Sequence, residues 1–143
     1  MLGHSKWGMG GRPLDIIDHT GLQFGDYGRA LRFYRLALAP LGISVVMQLT
    51  KQETGSYEGA GLGRDGKPTF WISGGQRTAP SVHIAFVADS RSSVDRFFEA
   101  ALAAGGVDNG APGIRAHYHP TYYGAFVLDP EGHNIEAVCH KPE

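Results

Sequence analysis

The sequence predicts an α+β domain built from two βαβββ modules that form a curved mixed sheet. Three observations support this prediction: an internal repeat, one helical segment among short strand-like segments in each half, and 21 glycines. Frequent glycine favours tight turns between short strands over a helix bundle. A chain of 143 residues suffices for one domain with a buried core. The predicted domain covers residues 13–143, after a Gly-rich extension at 1–12, with module one at 13–78 and module two at 79–143.

The repeat emerges when His19 is aligned with His83, a shift of 64 residues, and followed without gaps to Gly42 and Gly106. Random pairing would give far fewer identities than this alignment does. The chain is therefore interpreted as two copies of one unit. Seven of the 24 pairs are identical, namely His19/His83, Arg32/Arg96, Phe33/Phe97, Ala37/Ala101, Leu38/Leu102, Ala39/Ala103 and Gly42/Gly106.

Module one begins with a predicted strand at residues 14–24, rich in β-branched and aromatic side chains. A helix is predicted next, over residues 26–42, because apolar residues recur at spacings of three and four until Pro40-Leu41-Gly42 ends the pattern. Three shorter strands complete the module, at residues 43–50, 56–64 and 68–73.

Module two repeats this order, with a strand at residues 81–89 and a helix at 89–106 that has a Ser-rich start and a Gly-Gly stop. Its last three strands are predicted at residues 114–119, 123–129 and 134–140. In each module a short turn precedes the last strand, Asp65-Gly66-Lys67 in one and Glu131-Gly132-His133 in the other.

The duplication suggests a metal site. His19 and His83 occupy matched positions in the first strand of each module, and Glu136 lies in the last strand of module two. Equivalent strands of a duplicated sheet face one another across a pseudo-twofold axis, so these side chains can converge. Two imidazoles and one carboxylate suit divalent Fe, Mn, Zn or Ni and leave positions open for a substrate. The predicted ligands are therefore His19, His83 and Glu136.

Each of these residues also has a simpler interpretation. A single His in a strand is commonly a hydrogen-bonded core or surface residue, and matched histidines can be relics of the duplication. Glu136 can face water if Ala137 and Cys139 form the buried face of the strand. Only the shared module positions favour the metal interpretation.

The segment "RAHYHPTYYGAF", just before the last hairpin, carries further candidates. His117 is predicted to act as an acid or base, since imidazole titrates near neutral pH. Arg115, with its two-pronged guanidinium, is a candidate clamp for a substrate carboxylate, and His119 and Tyr123 are further candidates for substrate contact. The alternative is that these rings pack in a half-buried sheet or a dimer contact.

Four other residues receive structural expectations. Phe70 and Trp71, in the last strand of module one, are predicted to line the cavity wall or the core, and Phe70 is a further candidate for substrate contact. His133 lies in a turn and is expected to be solvated. Cys139 follows Glu136 by three residues and should lie on the opposite face as a structural thiol.

Composition excludes several classes of protein. The net charge is −1 and basic residues form no block, which argues against nucleic-acid binding. No apolar run is long enough to cross a bilayer, and the first residues lack the apolar core of a signal peptide. The single cysteine excludes a disulfide framework and fits a reducing compartment, so the cytoplasm is the expected location.

The duplication resembles the vicinal oxygen chelate superfamily, which includes glyoxalase I, bleomycin-resistance proteins and extradiol dioxygenases. The resemblance covers Leu14 to about His140. It implies that Glu136, in the C-terminal signature, is a metal ligand and that His19 and His83 are the other two ligands. Three stretches carry it: "DHTGLQFGDYGRALRFYRLALAPLG", "VHIAFVADSRSSVDRFFEAALAAGG" and "AFVLDPEGHNIEAV", the last similar to the family's terminal Asp-Pro-x-Gly-x-x-aliphatic-Glu signature.

One departure from the family pattern concerns a fourth ligand. Glyoxalase I-like members take a Glu or Gln from the last strand of module one, but aligning the two hairpin turns places Phe70 opposite Glu136. A slip of one residue would offer Thr69 or Trp71, and neither is a usual ligand. The pattern therefore resembles the three-ligand dioxygenases more than the four-ligand isomerases.

The resemblance implies a metal-dependent enzyme, a lyase, isomerase or dioxygenase, that acts on a small oxygen-chelating substrate. A symmetric homodimer is a further expectation. The rival hypothesis is a non-catalytic protein of the bleomycin-resistance type that sequesters an aromatic or antibiotic ligand in the same cup. The triad discriminates between the two hypotheses, because such binders generally lack the metal ligands. A third possibility is a domain that kept the fold and lost the chemistry.

Overall fold

The computed structural model describes residues 16–142 of the chain. These residues form two compact units: one runs as far as Tyr27 and resumes at Gly42–Thr78, and the other comprises Gly28–Leu41 and the chain from Ala79 onward. The extension predicted at residues 1–12 and the domain start predicted at Pro13 lie outside the described residues.

The described elements follow one another as strands, helices and one short 3₁₀ turn. In chain order they are β1 (Thr20–Phe24), α1 (Tyr27–Leu38), the 3₁₀ turn (Ala39–Leu41), β2 (Ser44–Leu49), α2 (Lys51–Thr54), β3 (Gly59–Gly63), β4 (Phe70–Gly74), β5 (His83–Val87), α3 (Arg91–Ala103), β6 (Val107–Asp108), β7 (Gly113–Ile114), β8 (Tyr123–Leu128) and β9 (Asn134–Cys139).

The first unit holds a four-stranded sheet in the order β1-β4-β3-β2. Strands β1 and β4 run parallel, and the other pairs are antiparallel. Side chains of a strand alternate between faces, and here one face carries the apolar core. Its members are Leu22, Phe24, Ala60, Leu62, Phe70 and Ile72, all less than 9% exposed. The opposite face is therefore available for a cleft.

Helix α2 is short and was not predicted. Its cap is nevertheless visible in the sequence, since Thr50 accepts a hydrogen bond from the backbone N–H of Glu53 while the Glu53 carboxylate accepts one from the N–H of Thr50. This reciprocal arrangement is the Thr-x-x-Glu capping box.

The second unit holds a five-stranded sheet in the order β5-β9-β8-β6, with β7 also paired to β8. Strands β5 and β9 run parallel, and the remaining pairs are antiparallel. Each sheet thus joins its first and last strands in parallel. The predicted α+β class is confirmed, and the strands form two mixed sheets accompanied by a few helices.

Helix α1 and the 3₁₀ turn that follows it belong to the second unit, although they lie in the first half of the sequence. Phe33, fully buried, approaches the backbone of Gly106 so closely that a Cβ there would lie 2.9 Å from its ring. Tyr34 donates a hydrogen bond to Asp129. The apolar stripe of α1 is therefore buried within that unit.

The prediction of a strand over residues 114–119 is wrong beyond Ile114. The N–H groups of Tyr118 and His119 both donate to the carbonyl of Arg115, which makes residues 115–119 a helical turn. Pro120 follows directly and lacks an N–H to continue it. His117 and His119 therefore lie in a turn and not on one face of a strand.

Candidate functional site

The second unit contains a cleft of about 590 Å³, called here the His83 cleft. It opens on the face of the sheet formed by β5, β9 and β8. Four imidazoles and three aromatic rings surround one carboxylate. The lining residues are His83, His117, Tyr118, His119, Tyr122, Phe126, Glu136 and His140.

Glu136 lies at the base of this cleft and is 1% exposed. In the sheet it lies between Ala85 of β5 and Phe126 of β8. One carboxylate oxygen, Oε1, lies 3.0 Å from Nε2 of His83. The other, Oε2, accepts a hydrogen bond from the hydroxyl of Tyr122. The carboxylate is therefore buried with partners on both oxygens and does not face water.

His83 begins β5 and lies diagonally across from Glu136. Its Nδ1 donates to the backbone carbonyl of Asn134 at 3.0 Å, which directs Nε2 toward the carboxylate. The imidazole also stacks on Phe126, with ring centroids 6.1 Å apart and planes inclined by 24°. A histidine held through Nδ1 in this way presents Nε2 in a fixed direction.

The turn before β9 orients Glu136. The Asp129 carboxylate accepts the N–H groups of Glu131, at 2.9 Å, and His133, at 3.0 Å. Gly132 adopts φ +90°, a left-handed conformation that glycine tolerates without strain. The Asp-Pro-x-Gly segment is thus a turn closed by its own hydrogen bonds, and it fixes the residue at which β9 begins.

His133 is buried, with 0% exposure, so the expectation that it is solvated is wrong. Its Nδ1 accepts the backbone N–H of Val82 at 3.1 Å. The ring therefore ties the turn to the segment that leads into β5.

Tyr122 lies in the "RAHYHPTYYGAF" segment but is not among the side chains predicted to contact the substrate, yet it contacts the candidate ligand Glu136 directly. Burial, followed by the hydrogen bond to Glu136, raises the pKa of Tyr122 above the ordinary value of a phenol. A Cβ at Gly124 would lie 3.2 Å from both Oε2 of Glu136 and the Tyr122 ring. Glycine at position 124 therefore leaves room for this contact.

His117, His119 and His140 line the same cleft around the rings of Tyr118 and Tyr122. His117 packs against Tyr118 at 4.1 Å between centroids, and His140 meets Tyr122 edge-on at 5.2 Å. His119 is held by Thr121 through its Nδ1 at 3.0 Å. His140 follows β9 directly and is not among the site residues that the sequence predicted.

Arg115 and Tyr123 are not among the residues that line the cleft. The guanidinium of Arg115 donates to the carbonyls of Gly113 and Ala111, at 2.9 and 2.8 Å, and lies over Phe126. Tyr123 donates to Asp95 at 2.7 Å, and Arg91 lies over its ring. In the structure both side chains support neighbouring loops and helices.

His19 belongs to the first unit and lies just before β1, not within it. Its Nδ1 donates to Oδ1 of Asp18 at 2.8 Å, and the same oxygen accepts Nζ of Lys67 at 2.8 Å. The hydrogen bond from Lys67, followed by that from His19, lowers the pKa of Asp18. His19 is therefore also held through Nδ1.

The first unit has its own cleft, of about 690 Å³, called here the Trp71 cleft. Asp18, His19 and Lys67 lie on its polar side, and Trp71 lines its apolar side. Phe70 points into the core, with 2% exposure, and is not part of this lining.

The sheet register corrects the alignment of the last strands. Trp71 pairs with Gly21 in β1, and Glu136 pairs with Ala85 in β5. Gly21 and Ala85 are equivalent under the 64-residue shift, so Trp71 and not Phe70 takes the place of Glu136. The turn in module one is longer by one residue. The equivalent position is again aromatic, so module one offers no ligand there.

The structure thus brings together two of the three predicted ligands, His83 and Glu136, in one unit. His19 belongs to the other unit. Among residues 16–142, no three His, Cys, Asp or Glu side chains form a group that could hold a metal ion. Cys139 is a buried free thiol on the core face of β9, as expected.

In the described part of the chain, no helix has the length and apolar character needed to span a membrane. The molecule combines two sheets, each with a parallel first and last strand, and a cleft in which a buried carboxylate meets an imidazole. This combination defines a class of duplicated α+β proteins with a cleft on the sheet face.

Residues 16–137 match the Glyoxalase/Bleomycin resistance protein/Dioxygenase superfamily, and the chain belongs to this family. The resemblance inferred from the repeat is therefore confirmed. No curated protein matches the sequence.

Solved structures agree on the fold. A glyoxalase/bleomycin resistance protein from Albidiferax ferrireducens T118 is 25% identical, with a TM-score of 0.68, over 87% of this chain and 99% of that one. A domain named for the same family from Frankia sp. EAN1pec is 14% identical, with a TM-score of 0.66, over 90% and 100%. A variant of glyoxalase I from Zea mays is 18% identical, with a TM-score of 0.65, over 89% of this chain and 45% of that one.

Proposed function

We propose that this protein is a metal-dependent enzyme of the glyoxalase/dioxygenase type that acts on a small substrate with two adjacent oxygens. His19, His83 and Glu136 are its metal ligands. The supporting observation is that each of these side chains has its non-ligating atom engaged. Asp18 holds Nδ1 of His19, the carbonyl of Asn134 holds Nδ1 of His83, and Tyr122 holds Oε2 of Glu136.

Nε2 of His83 and Oε1 of Glu136, which are paired with each other, are also spaced as two ligands of one metal ion would be. Two donor atoms about 2.1 Å from one ion and about 90° apart lie about 3 Å from each other. Nε2 of His83 and Oε1 of Glu136 are 3.0 Å apart. Two imidazoles and a carboxylate suit Fe, Mn, Zn or Ni and do not select among them.

A bound divalent ion would act as a Lewis acid that stabilises negative charge on the substrate oxygens. The side chains of the His83 cleft would supply proton transfer and contacts to the substrate. His117, His119 and His140 place three imidazoles in one cleft, and an imidazole is a group that can accept and return a proton. Tyr118, Tyr122 and Phe126 line the cleft with aromatic rings.

The decisive experiment is metal analysis of protein purified without a chelator. We expect about one first-row metal ion per chain in the wild type, and loss of that ion in His19→Ala, His83→Ala and Glu136→Gln. His117→Ala is the matched control, since it removes an imidazole from the same cleft that is not a proposed ligand.

A metal-free wild type, or variants that keep their metal, would contradict the proposal. A metal-free protein that still binds small molecules would support the rival hypothesis of a non-catalytic binder.

A further inference from the structure

Lys67 lies in the turn between β3 and β4, and its side chain is more covered than the groups it contacts. The Lys67 side chain is 14% exposed, whereas that of Asp18 is 67% exposed and that of His19 is 59% exposed. Nζ of Lys67 donates to Oδ1 of Asp18 at 2.8 Å, and Nδ1 of His19 donates to the same oxygen at 2.8 Å. One exposed carboxylate oxygen therefore joins a lysine from a distant turn to a proposed metal ligand.

The backbone of the turn fixes the point from which the lysine side chain extends. The carbonyl of Lys67 accepts a hydrogen bond from the hydroxyl of Thr69 at 3.3 Å. A Cβ at Gly63 would lie 1.7 Å from the same carbonyl oxygen, so only glycine lets the turn fold back this closely. The carbonyl of Thr69 also accepts the N–H of Thr20 at 3.0 Å. The turn is thereby tied to the residue that directly follows His19.

Asp18 needs a second partner if it is to hold His19 in one orientation. Because Asp18 is exposed, its hydrogen bond to His19 competes with hydrogen bonds to water. The ammonium of Lys67 adds a charge-assisted hydrogen bond to the same oxygen and restricts the carboxylate to the conformation that meets Nδ1. An imidazole whose proton is held at Nδ1 presents an unprotonated Nε2, the form that a metal ligand requires.

We propose that Lys67 is a positioning residue, which keeps Asp18 directed at His19 and so keeps the proton of His19 on Nδ1. This inference rests on the proposed function, in which His19 is a metal ligand. A positioning role and a simple charge effect have opposite consequences. A lysine that acts only as a nearby positive charge repels a metal ion, so its removal would strengthen metal binding. Loss of a residue that orients a ligand weakens metal binding.

The position of the His19 proton is measured in the chelator-treated, metal-free protein. Long-range ¹H–¹⁵N NMR spectra of histidine-labelled protein distinguish the Nδ1–H from the Nε2–H form at about pH 8.5, where an ordinary imidazole is neutral and an ordinary lysine is charged. His19→Ala assigns the signals. We expect the Nδ1–H form to predominate at His19 in the wild type, and Lys67→Met to shift the population toward the Nε2–H form. Lys67→Arg, which retains a charged donor, should keep the wild-type form.

Competition titration with Mn²⁺ supplies the second readout. Lys67→Met should bind Mn²⁺ about tenfold more weakly than the wild type, the lower end of the range for groups that orient a ligand, and Lys67→Arg should recover the affinity. Lys51→Met is the matched control, since it removes a lysine of the first unit that begins α2, and it should change neither readout. In an Asp18→Ala background, Lys67→Met should have no further effect, because its route to His19 is already absent.

An unchanged proton position at His19 in Lys67→Met would overturn the proposal, as would tighter Mn²⁺ binding by that variant. Lys67→Ala gives the same comparison where Lys67→Met does not fold. A further loss of affinity in the double variant would show that Lys67 does not act through Asp18 and would overturn the proposal as well. If the wild type binds no Mn²⁺, the proposed function fails, whereas the metal-free spectra still decide whether Lys67 holds the proton of His19 on Nδ1.

Discussion

Glu136 is a carboxylate inside a strand whose neighbours Ile135 and Ala137 are completely buried. A buried carboxylate is costly unless it is paired and hydrogen-bonded. His83 and Tyr122 supply those partners, and Gly124 leaves the space they need. A valine would fold here with no such requirements, so the arrangement serves the site more than the core.

Replacement of Tyr122 by Phe tests the hydroxyl that holds Oε2 of Glu136. The variant loses a donor to a carboxylate, and Glu136 is then free to turn. Changes in groups that orient a ligand typically cost 10–100-fold in metal affinity, and we expect a loss of about this size for Mn²⁺ or Co²⁺. Competition titration with a coloured chelator measures it.

Tyr118→Phe is the matched control, because it removes a phenol hydroxyl from the same cleft. It should retain the wild-type affinity. If both variants bind the metal as the wild type does, Tyr122 does not orient Glu136 for metal binding.

At the scale of elements, the turn between β8 and β9 is the part that positions the site. Asp129 accepts two backbone N–H groups of its own turn and the hydroxyl of Tyr34 from α1. One carboxylate therefore sets the start of β9 and ties it to a helix distant in sequence. The Asp-Pro-x-Gly stretch is therefore a local turn that a long-range hydrogen bond from Tyr34 holds in place.

The Tyr34→Phe substitution should lower the free energy of unfolding at neutral pH by about 1–3 kcal/mol, since Asp129 loses a buried donor. Burial, followed by the Asp129 charge, raises the pKa of Tyr34 well above that of an exposed tyrosine. Its stabilising contribution is complete below about pH 10, where the unfolded phenol is protonated. It is lost as the pH rises from there toward the folded-state pKa.

Urea unfolding of both proteins at neutral pH and above about pH 10 measures this difference. The wild type should lose more stability on alkalinisation than the variant. Tyr122 and Tyr123, whose pKa values are also raised, are present in both proteins and cancel in the comparison. Parallel pH profiles would show that Tyr34 does not titrate differently in the folded state.

At the scale of the whole molecule, two sheets with the same strand order have different side chains at one register position. Glu136 occupies it in the second unit, where it meets an imidazole, and Trp71 occupies it in the first, where it lines the Trp71 cleft. Duplication kept the backbone arrangement, while the side chains at this position diverged.

If the metal ligands belong to the native fold, metal must stabilise the folded chain by mass action. Mn²⁺ at about 100 times its dissociation constant should raise the free energy of unfolding by about 2.7 kcal/mol. Thermal unfolding with Mn²⁺ and with a chelator measures the effect. His83→Ala should unfold at the same temperature in both conditions. An equal shift in that variant would show that the ion binds elsewhere.

The sequence by itself determined the fold class, the order of most elements and the pairing of His19, His83 and Glu136 as candidates. It could do so because periodicity, turn residues and the repeat are local signals that survive duplication.

Only the tertiary structure decided which groups meet. The hydrogen bonds from Tyr122 to Glu136 and from Tyr34 to Asp129 join residues 14 and 95 positions apart, and no local pattern encodes such contacts. The true counterpart of Glu136 depends on a one-residue difference in turn length, which moves every side chain of a strand to the other face. The sheet register, and not the turn alignment, therefore assigned Phe70 to the core and Trp71 to the cleft.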